Sequence, residues 1–288
     1  MIIVGVDGSR PGLEAAGWAA TEAALRQVPL TVAHVVPAWV CEEGTPVRYA
    51  EVARWMREGA QSVLTSAKDR ALRERPQVQV ETVLLPGDPR AALVEASAEA
   101  ELLVVGSRGL GGVRGLLVGS VAYGVVAHAE TNVVLVRDRA ATLGEIVVGT
   151  DLSARAGKAL EFAFAEAELR GARLRVVQAW AWPQPGGFEP ADSDSEQGHL
   201  LALQSALVPL RAEHPGVEVT AEVVHGHPVD VLKEAAAGAE LLVVGSRGRG
   251  QLAGMLLGSI SQAMLQHAPC PLAVVRAPDT ASQPGSPV

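Results

Sequence analysis

Cysteine is nearly absent from this chain of 288 residues, which contains only Cys41 and Cys270. They stand in different halves without metal-ligand spacing, so a disulfide framework is not expected and a reducing, cytoplasmic setting is the simpler reading. Aromatic residues amount to 3%, so the apolar mass is Ala, Val and Leu, a composition suited to helices layered on a sheet. Lys and Arg number 24 against 32 Asp and Glu, with no dense basic run. A nucleic-acid surface is therefore not expected, while one nucleotide in a glycine-rich pocket remains compatible with a net charge of −8. No apolar run reaches the length of about 18 residues that a membrane span needs. The opening MIIVGVDGS lacks a basic segment, and its apolar part is too short for a signal peptide. The absence of G-x-x-x-x-G-K-S/T excludes a P-loop nucleotide hydrolase.

Glycine, in contrast, is plentiful and its placement repeats. VVGSRGLGGVRGLLVGS at 104–120 returns as VVGSRGRGQLAGMLLGS at 243–259, with 11 of 17 positions identical. MIIVGVDGS answers to EIVVGTDLS (145–153), which sets Asp7 opposite Asp151. LTVAHVV (30–36) answers to LRVVQAW (174–180), LPGDP (85–89) to VHGHP (224–228), and AELLVVGSRG (100–109) recurs unchanged at 239–248. Such a period is too long for a solenoid unit, so each copy is expected to be a domain with its own core. The boundaries are 1–138 and 144–277, joined by the short polar RDRAATLGE (137–145) and followed by a disordered Pro- and Ser-rich tail at 278–288. PQPGGFEPADSDSEQG (183–198) reads as a solvated acidic loop, with a lid over a pocket as the alternative.

Within the first copy, IIVGV, LTVAHVV, VQVETVLL, LLVVG and NVVLVR read as strands. Their runs are continuous rather than alternating, the mark of strands covered on both faces in a parallel sheet. Helices are expected at about 12–27, 48–75, 89–99 and 116–129, with Asp-Pro at 88–89 supplying a cap and a first-turn proline. The second copy repeats the scheme with strands near 145–150, 173–180, 217–224, 240–245 and 271–276. Strands alternating with helices predict an α/β fold: two tandem doubly wound, Rossmann-like sheets with right-handed crossovers.

In that fold, ligands sit beyond the carboxyl ends of the strands, where the strand order reverses. There Gly106, Gly109 and Gly119 let backbone N–H groups approach a ligand, and the helix after Gly119-Ser120 offers unpaired donors and a partial positive charge to phosphate. Asp7, at the end of the first strand, should border the same crevice. A tight strand–helix turn that merely needs glycine is the competing explanation, and the retention of the same Gly, Ser and Arg in both copies weighs against it. G-x-G-x-x-A occurs at Gly248, Gly250 and Ala253, but it follows the fourth strand and fails in the first copy, so a dinucleotide fold is disfavoured.

Strand, G-x2-G, nine residues, G-S/T, helix: this arrangement resembles the ATP-binding signature of the universal stress protein family. Gly106-x2-Gly109-x9-Gly119-Ser120 and Gly245-x2-Gly248-x9-Gly258-Ser259 both satisfy it. The resemblance implies five-stranded parallel sheets in order 3-2-1-4-5 and pairing of units through the last strand. For this chain that means an intrachain pseudo-dimer, which could pair again as a homodimer. It also implies adenine-nucleotide binding, with ATP as the ligand and Mg²⁺ as an optional companion. Carried over position by position, Asp7 and Asp151 would contact the adenosine end, and Val35 and its counterpart Ala179 the adenine ring. Gly106, Gly109, Gly119, Ser120 and Val121 would hold ribose and phosphates, as would Gly245, Gly248, Gly258, Ser259 and Ile260. Arg108 and Arg247 would either add charge to the phosphates or point to solvent. HAPCPLAVV (267–275) keeps the family's pattern before the last strand, whereas HAETNVVLV (128–136) departs from it.

The remaining candidates read as structural. His225 and His227 fit a loop or cap better than a metal pair. The segment 52–75 fits an amphipathic surface helix, and Cys270 a small packed residue rather than a nucleophile. Trp180 and Trp182 either wall the pocket or pack at its edge. Neither Asp7 nor Asp151 has an evident His or nucleophile partner, so the nucleotide reads as a bound ligand, and the resemblance then implies a nucleotide-dependent stress-response regulator with an unidentified protein partner. The alternatives are a slow ATPase or nucleotide-processing enzyme using the same pockets, and an interaction module with vestigial ones.

Overall fold

Uninterrupted Val, Ile and Leu runs become strands hidden on both sides. In the structure, a computed structural model, residues 1–42, 47–109, 118–137, 143–153, 155–180, 196–248 and 256–277 are described. The N-terminal half runs β1 (Ile2–Gly5), α1 (Arg10–Arg26), β2 (Leu30–Val36), α2 (Ala38–Cys41), α3 (Val47–Glu74), β3 (Val80–Pro86), α4 (Pro89–Ala96), β4 (Leu102–Gly106), α5 (Ser120–His128) and β5 (Asn132–Val136). The C-terminal half repeats this as β6 (Glu145–Gly149), α6 (Ala156–Arg170), β7 (Arg173–Trp180), α7 (Glu196–Glu213), β8 (Val219–His225), α8 (Pro228–Ala235), β9 (Leu241–Gly245), α9 (Ser259–His267) and β10 (Leu272–Val275). The expected elements are all present, with ends shifted by a few residues. The short α2, started after Pro37, has no counterpart in the expectation. The acidic stretch 183–195, Trp182, residues 138–142 of the join, the tail 278–288 and the middles of both glycine stretches (110–117, 249–255) lie outside the described residues.

Each half has the strand order 3-2-1-4-5, and the two sheets are continuous, in the order β3-β2-β1-β4-β5-β10-β9-β6-β7-β8. All pairs are parallel except β5 with β10, where Leu135 faces Leu272 and Val133 faces Val274. An unpaired last strand would leave a row of N–H and C=O groups exposed; here each last strand satisfies the other. Side chains alternate between the two faces. Ile2 and Val4 enter a core layer with α1, α3, α6 and α7, whereas Ile3 enters one with α4, α5, α8 and α9. Both layers run across the seam between the halves.

Local chemistry sets the helix starts. Asp88 accepts hydrogen bonds from the N–H groups of Arg90 and Ala91 at 3.0 and 3.3 Å and caps α4, with Pro89 in the first turn. His227 occupies the equivalent cap of α8 but makes no side-chain capping bond. Helix α3 buries Ala53, Ala60, Leu64, Ala67 and Ala71 and leaves Tyr49, Val52 and Trp55 outside, the amphipathic surface helix expected for 52–75.

On one face of the sheet, α1 and α6 meet across the seam through four charges. Glu22 and Glu166 are fully buried. Arg26 donates to Glu22 at 2.6 Å and also to Glu166. Arg170 donates to both Glu166 and Glu22. Arg26 lies 5.7 Å from the ring centroid of Phe162, and Arg170 lies 5.6 Å from that of Trp18. The repeat pairs Glu22 with Glu166, Arg26 with Arg170 and Trp18 with Phe162, so the arrangement is reciprocal. Each arginine bridges both carboxylates and stacks on the aromatic ring of the other half.

Candidate functional site

Strand β1 pairs with β2 on one side and β4 on the other, so the strand order reverses beside it and a crevice opens at the carboxyl ends. A cavity of about 560 Å³ lies there, and the equivalent crevice beside β6 holds one of about 260 Å³. The first is in the size range of small-molecule sites, and the second lies just below it. Every residue that the resemblance assigns to the ligand site lines one of these two cavities. Asp7, Val35, Gly106, Arg108, Gly109, Gly119, Ser120 and Val121 line the N-terminal cavity. Asp151, Ala179, Gly245, Arg247, Gly248, Gly258, Ser259 and Ile260 line the C-terminal one. Residues separated by more than 100 positions are thereby brought together. Arg108 is exposed and Arg247 half-buried, yet both stand on the lining.

The aspartate is held by its own turn. Asp7 Oδ1 accepts from the Ser9 N–H at 3.0 Å and from the Ser9 hydroxyl at 2.5 Å. Ser9 Oγ in turn accepts from the Gly12 N–H at 3.2 Å as the cap of α1. This turns Oδ2 toward the glycine loop, where a Cβ on Gly109 would overlap it. The second copy keeps part of this: Ser153 N–H donates to Asp151 Oδ1 at 3.0 Å and a Cβ on Gly248 would come within 2.6 Å of Asp151 Oδ2, but the buried Ser153 hydroxyl bonds neither the carboxylate nor the start of α6. The middle residue of this turn has positive φ in both copies, 84° at Gly8 and 55° at Leu152. Leu152 therefore holds a left-handed conformation that costs a non-glycine residue about 1–2 kcal/mol.

Gly119 and Gly258 have ordinary dihedrals, with φ of −74° and −71°, so backbone strain does not require glycine there. Each is the N-cap of its helix, α5 or α9, and has no side chain to occupy the first-turn N–H groups. Those donors face the cavity with the positive end of the helix dipole behind them. Their own N–H groups bond back to Ser107 O at 2.9 Å and Ser246 O at 2.8 Å, which ties each helix start to the residue that follows β4 or β9.

Gly106 and Gly245, equivalent in sequence, are inequivalent in space. A Cβ on Gly106 would sit 2.7 Å from the carbonyl carbon and oxygen of Pro11 in α1, whereas on Gly245 it would meet only Arg247 O at 3.3 Å. The cause is that α6 begins two residues later in the repeat than α1, at Ala156 and not at 154, the position equivalent to Arg10. Gly106→Ala is therefore expected to destabilise the fold by about 1–3 kcal/mol and Gly245→Ala by clearly less. Urea midpoints of the two variants measure this, and equal losses would refute it.

Several wall residues escaped the sequence reading. Leu93 and Leu232, from α4 and α8, close over Gly5 and Gly149, where a Cβ would lie 2.8 Å from the leucine methyls. The glycine ending both MIIVG and EIVVG was the available signal. His34 also lines the N-terminal cavity, with Nδ1 2.7 Å from Val6 O. Its counterpart Gln178 instead meets His199 Nδ1 at 3.2 Å.

The residues read as structural fall accordingly. Trp180 packs on His199 and His225, with centroids 5.9 and 5.2 Å away, at the carboxyl end of β7 and not on the cavity wall. Burial pushes the Cys270 thiol up to about 12, which opposes a nucleophilic role. Among the described residues no group of three or more His, Cys, Asp or Glu could hold a metal ion, and no helix is long and apolar enough to cross a membrane.

Comparison with known proteins agrees with this architecture. The model of the universal stress protein family matches the chain twice, over residues 1–137 and 143–276. A universal stress protein of Mycobacterium tuberculosis is 38% identical over 285 residues, covering 96% of each chain. One from Mycolicibacterium smegmatis is 34% identical over 286 residues with the same coverage. The crystal structure of a universal stress protein from Archaeoglobus fulgidus shares the fold, with a TM-score of 0.69 at 21% identity and 96% of both chains covered. With the glycine loop, the strand order and the wall residues all present twice, this chain belongs to the universal stress protein family and carries two tandem copies of its fold.

Proposed function

We propose that the chain is a nucleotide-responsive stress regulator made of two units, residues 1–138 and 144–277, each taking one adenine nucleotide with ATP as its ligand. The observation that carries this reading is the glycine-capped start of α5 and α9. Each presents first-turn N–H donors into a cavity that a held carboxylate also lines. Phosphate oxygens would take those N–H groups and the Ser120 or Ser259 hydroxyl. The Asp7 or Asp151 carboxylate would accept from a ribose hydroxyl. Val35 or Ala179 would supply apolar contact to the base, and Arg108 or Arg247 charge to the phosphates. A Mg²⁺ ion would be held chiefly by the phosphates themselves.

Occupancy would draw Gly109 and the helix start at Gly119 together on the phosphates, so that loaded and empty forms offer different surfaces to a protein partner. The β5–β10 seam would make the two units an intrachain pseudo-dimer. The test is to purify the chain without added nucleotide, denature it, and identify what is released by chromatography and mass spectrometry. About two adenine nucleotides per chain are expected. An empty protein that also ignores added ATP in calorimetry would refute the reading. Phosphate release in a single-turnover burst, lost in Asp7→Ala or Asp151→Ala, would convert the regulator into a slow ATPase.

A further inference from the structure

Arg137 follows β5 by one residue and Arg276 follows β10 by one residue, so the antiparallel seam carries each into the other half. There Arg276 donates through Nη2 to the carbonyl of Val126 in the last turn of α5. Arg137 donates through Nη2 to the carbonyl of Leu265 in the last turn of α9. The repeat makes Val126 and Leu265 equivalent, so the two contacts are one contact made twice across the seam.

We propose that Arg276 is a positioning residue for α5 and hence for the N-terminal cavity, and Arg137 for α9 and the C-terminal cavity, so that each ligand site is completed by the other half of the chain. This rests on the nucleotide reading above.

The physical basis is the helix end. The last carbonyls of a helix have no partner within it, and a cation there complements the negative end of the dipole. Ala129 N–H takes Val125 O at 2.9 Å and Ala268 N–H takes Met264 O at 2.9 Å. The carbonyl one residue further on in each helix receives the foreign arginine. Helices of nine residues are only about 13 Å long, so holding one end sets the place of the other. The other end is the donor cradle that faces the cavity.

Arg137 is half-buried, and burial first, with the like charge of Arg108 added, lowers its pKa. A guanidinium in that position depends on its carbonyl partner. The two holds are unequal. The Arg276 backbone N–H also donates to Asn132 Oδ1 at 2.9 Å, while the repeat places Pro271, which has no side-chain acceptor, where Asn132 stands.

The test is photolabelling of the full chain with 8-azido-ATP over a range of concentrations, with labelled peptides from the two cavities quantified separately. Arg276→Gln should raise the half-saturation concentration of the N-terminal cavity about threefold to tenfold while leaving the C-terminal cavity unchanged. Arg137→Gln should show the reverse with a smaller effect. Arg276→Lys keeps the cation and should recover part of the loss; it also carries the test if the Gln variant does not fold. A crossed pattern cannot come from general loosening of the chain. Equal weakening of both cavities, or weakening of the cavity in the arginine's own half, would overturn the proposal and leave the nucleotide reading standing. Absence of labelling in the unaltered chain would overturn both.

Discussion

Replacing Glu22 by Ala is expected to destabilise the folded chain by about 3–5 kcal/mol, because it strands Arg26 and Arg170 in a buried site with one carboxylate between them. Glu22 is 0% exposed, and its partners Arg26 and Arg170 are 17% and 10% exposed. An exposed pair such as Lys158–Glu161, at 52% and 50%, should contribute no more than about 1 kcal/mol. Urea unfolding of Glu22→Ala and Lys158→Ala side by side gives the contrast, and a loss below about 1 kcal/mol for the first would contradict the buried-charge account. Exchanging all four charges together for apolar residues of similar volume should be nearly neutral, since no buried charge is then left without a partner and Glu240, which Arg170 also meets at 3.9 Å, is 30% exposed and stays solvated.

The same four charges set a pH dependence. Burial, and then the Glu22 carboxylate, push Glu166 up to about 7 from an ordinary 4.5. For Glu22 burial also acts upward, but the Arg170 and Arg26 guanidiniums outweigh it and its carboxyl lies below the ordinary value. The two carboxyls titrate as one unit. Between pH 4.5 and about 7 the folded chain holds a proton on Glu166 that the unfolded chain has released. This contribution to stability is present at the acid end and is lost as pH rises through about 7, with a slope of at most about 1.4 kcal/mol per pH unit. Glu22 works in the opposite sense, its contribution being lost as pH falls below its ordinary value. Melting temperatures should therefore decline from pH 5 to pH 7 and level off by about pH 8, and Glu166→Gln should flatten the decline. An unchanged slope in that variant would assign the effect to other groups.

Gly109→Ala and Gly248→Ala, combined, should weaken adenine-nucleotide binding roughly tenfold to a hundredfold at both cavities, with the fold retained. Each added methyl collides with one carboxylate oxygen, of Asp7 or Asp151. The carboxylate must swing away from the position that its Ser9 or Ser153 contact sets. Relief of such overpacking typically costs about 1–3 kcal/mol, here drawn from the bound geometry. Calorimetric titration with ATP measures the loss, and circular dichroism checks the fold. Wild-type affinity in the double variant would mean that the aspartate and the glycine do not share a ligand. Each single variant should affect its own cavity alone, because the two carboxylates belong to different halves.

The duplicated glycine stretch and the continuous Val/Leu runs were sufficient to predict two α/β units, and the family resemblance added their strand order and the ligand-site residues that lie on the two walls, but not Leu93, Leu232 or His34. These features are local: a strand buried on both faces has no polar alternation, and a helix start that leaves its N–H groups open to a ligand carries glycine. Gly8 and Leu152 show the limit of that logic, since the same left-handed turn is made once with glycine and once without. What depends on non-local packing was not legible. Gly106 and Gly245 look alike in the sequence, and only the later start of α6 separates a crowded glycine from an open one. Glu22 with Arg26 and Glu166 with Arg170 have the i,i+4 spacing of any solvated helical pair, and Arg137 and Arg276 are single charges after an apolar run, so nothing in the local pattern marks them. They became a buried charge cluster and a pair of crossed helix anchors when β5 and β10 joined the two sheets. The sequence by itself determined the units and their pockets, because those depend on local pattern. The tertiary structure alone decided which side chains of one unit bear on the other, because burial and charge pairing across the seam depend on which surfaces meet.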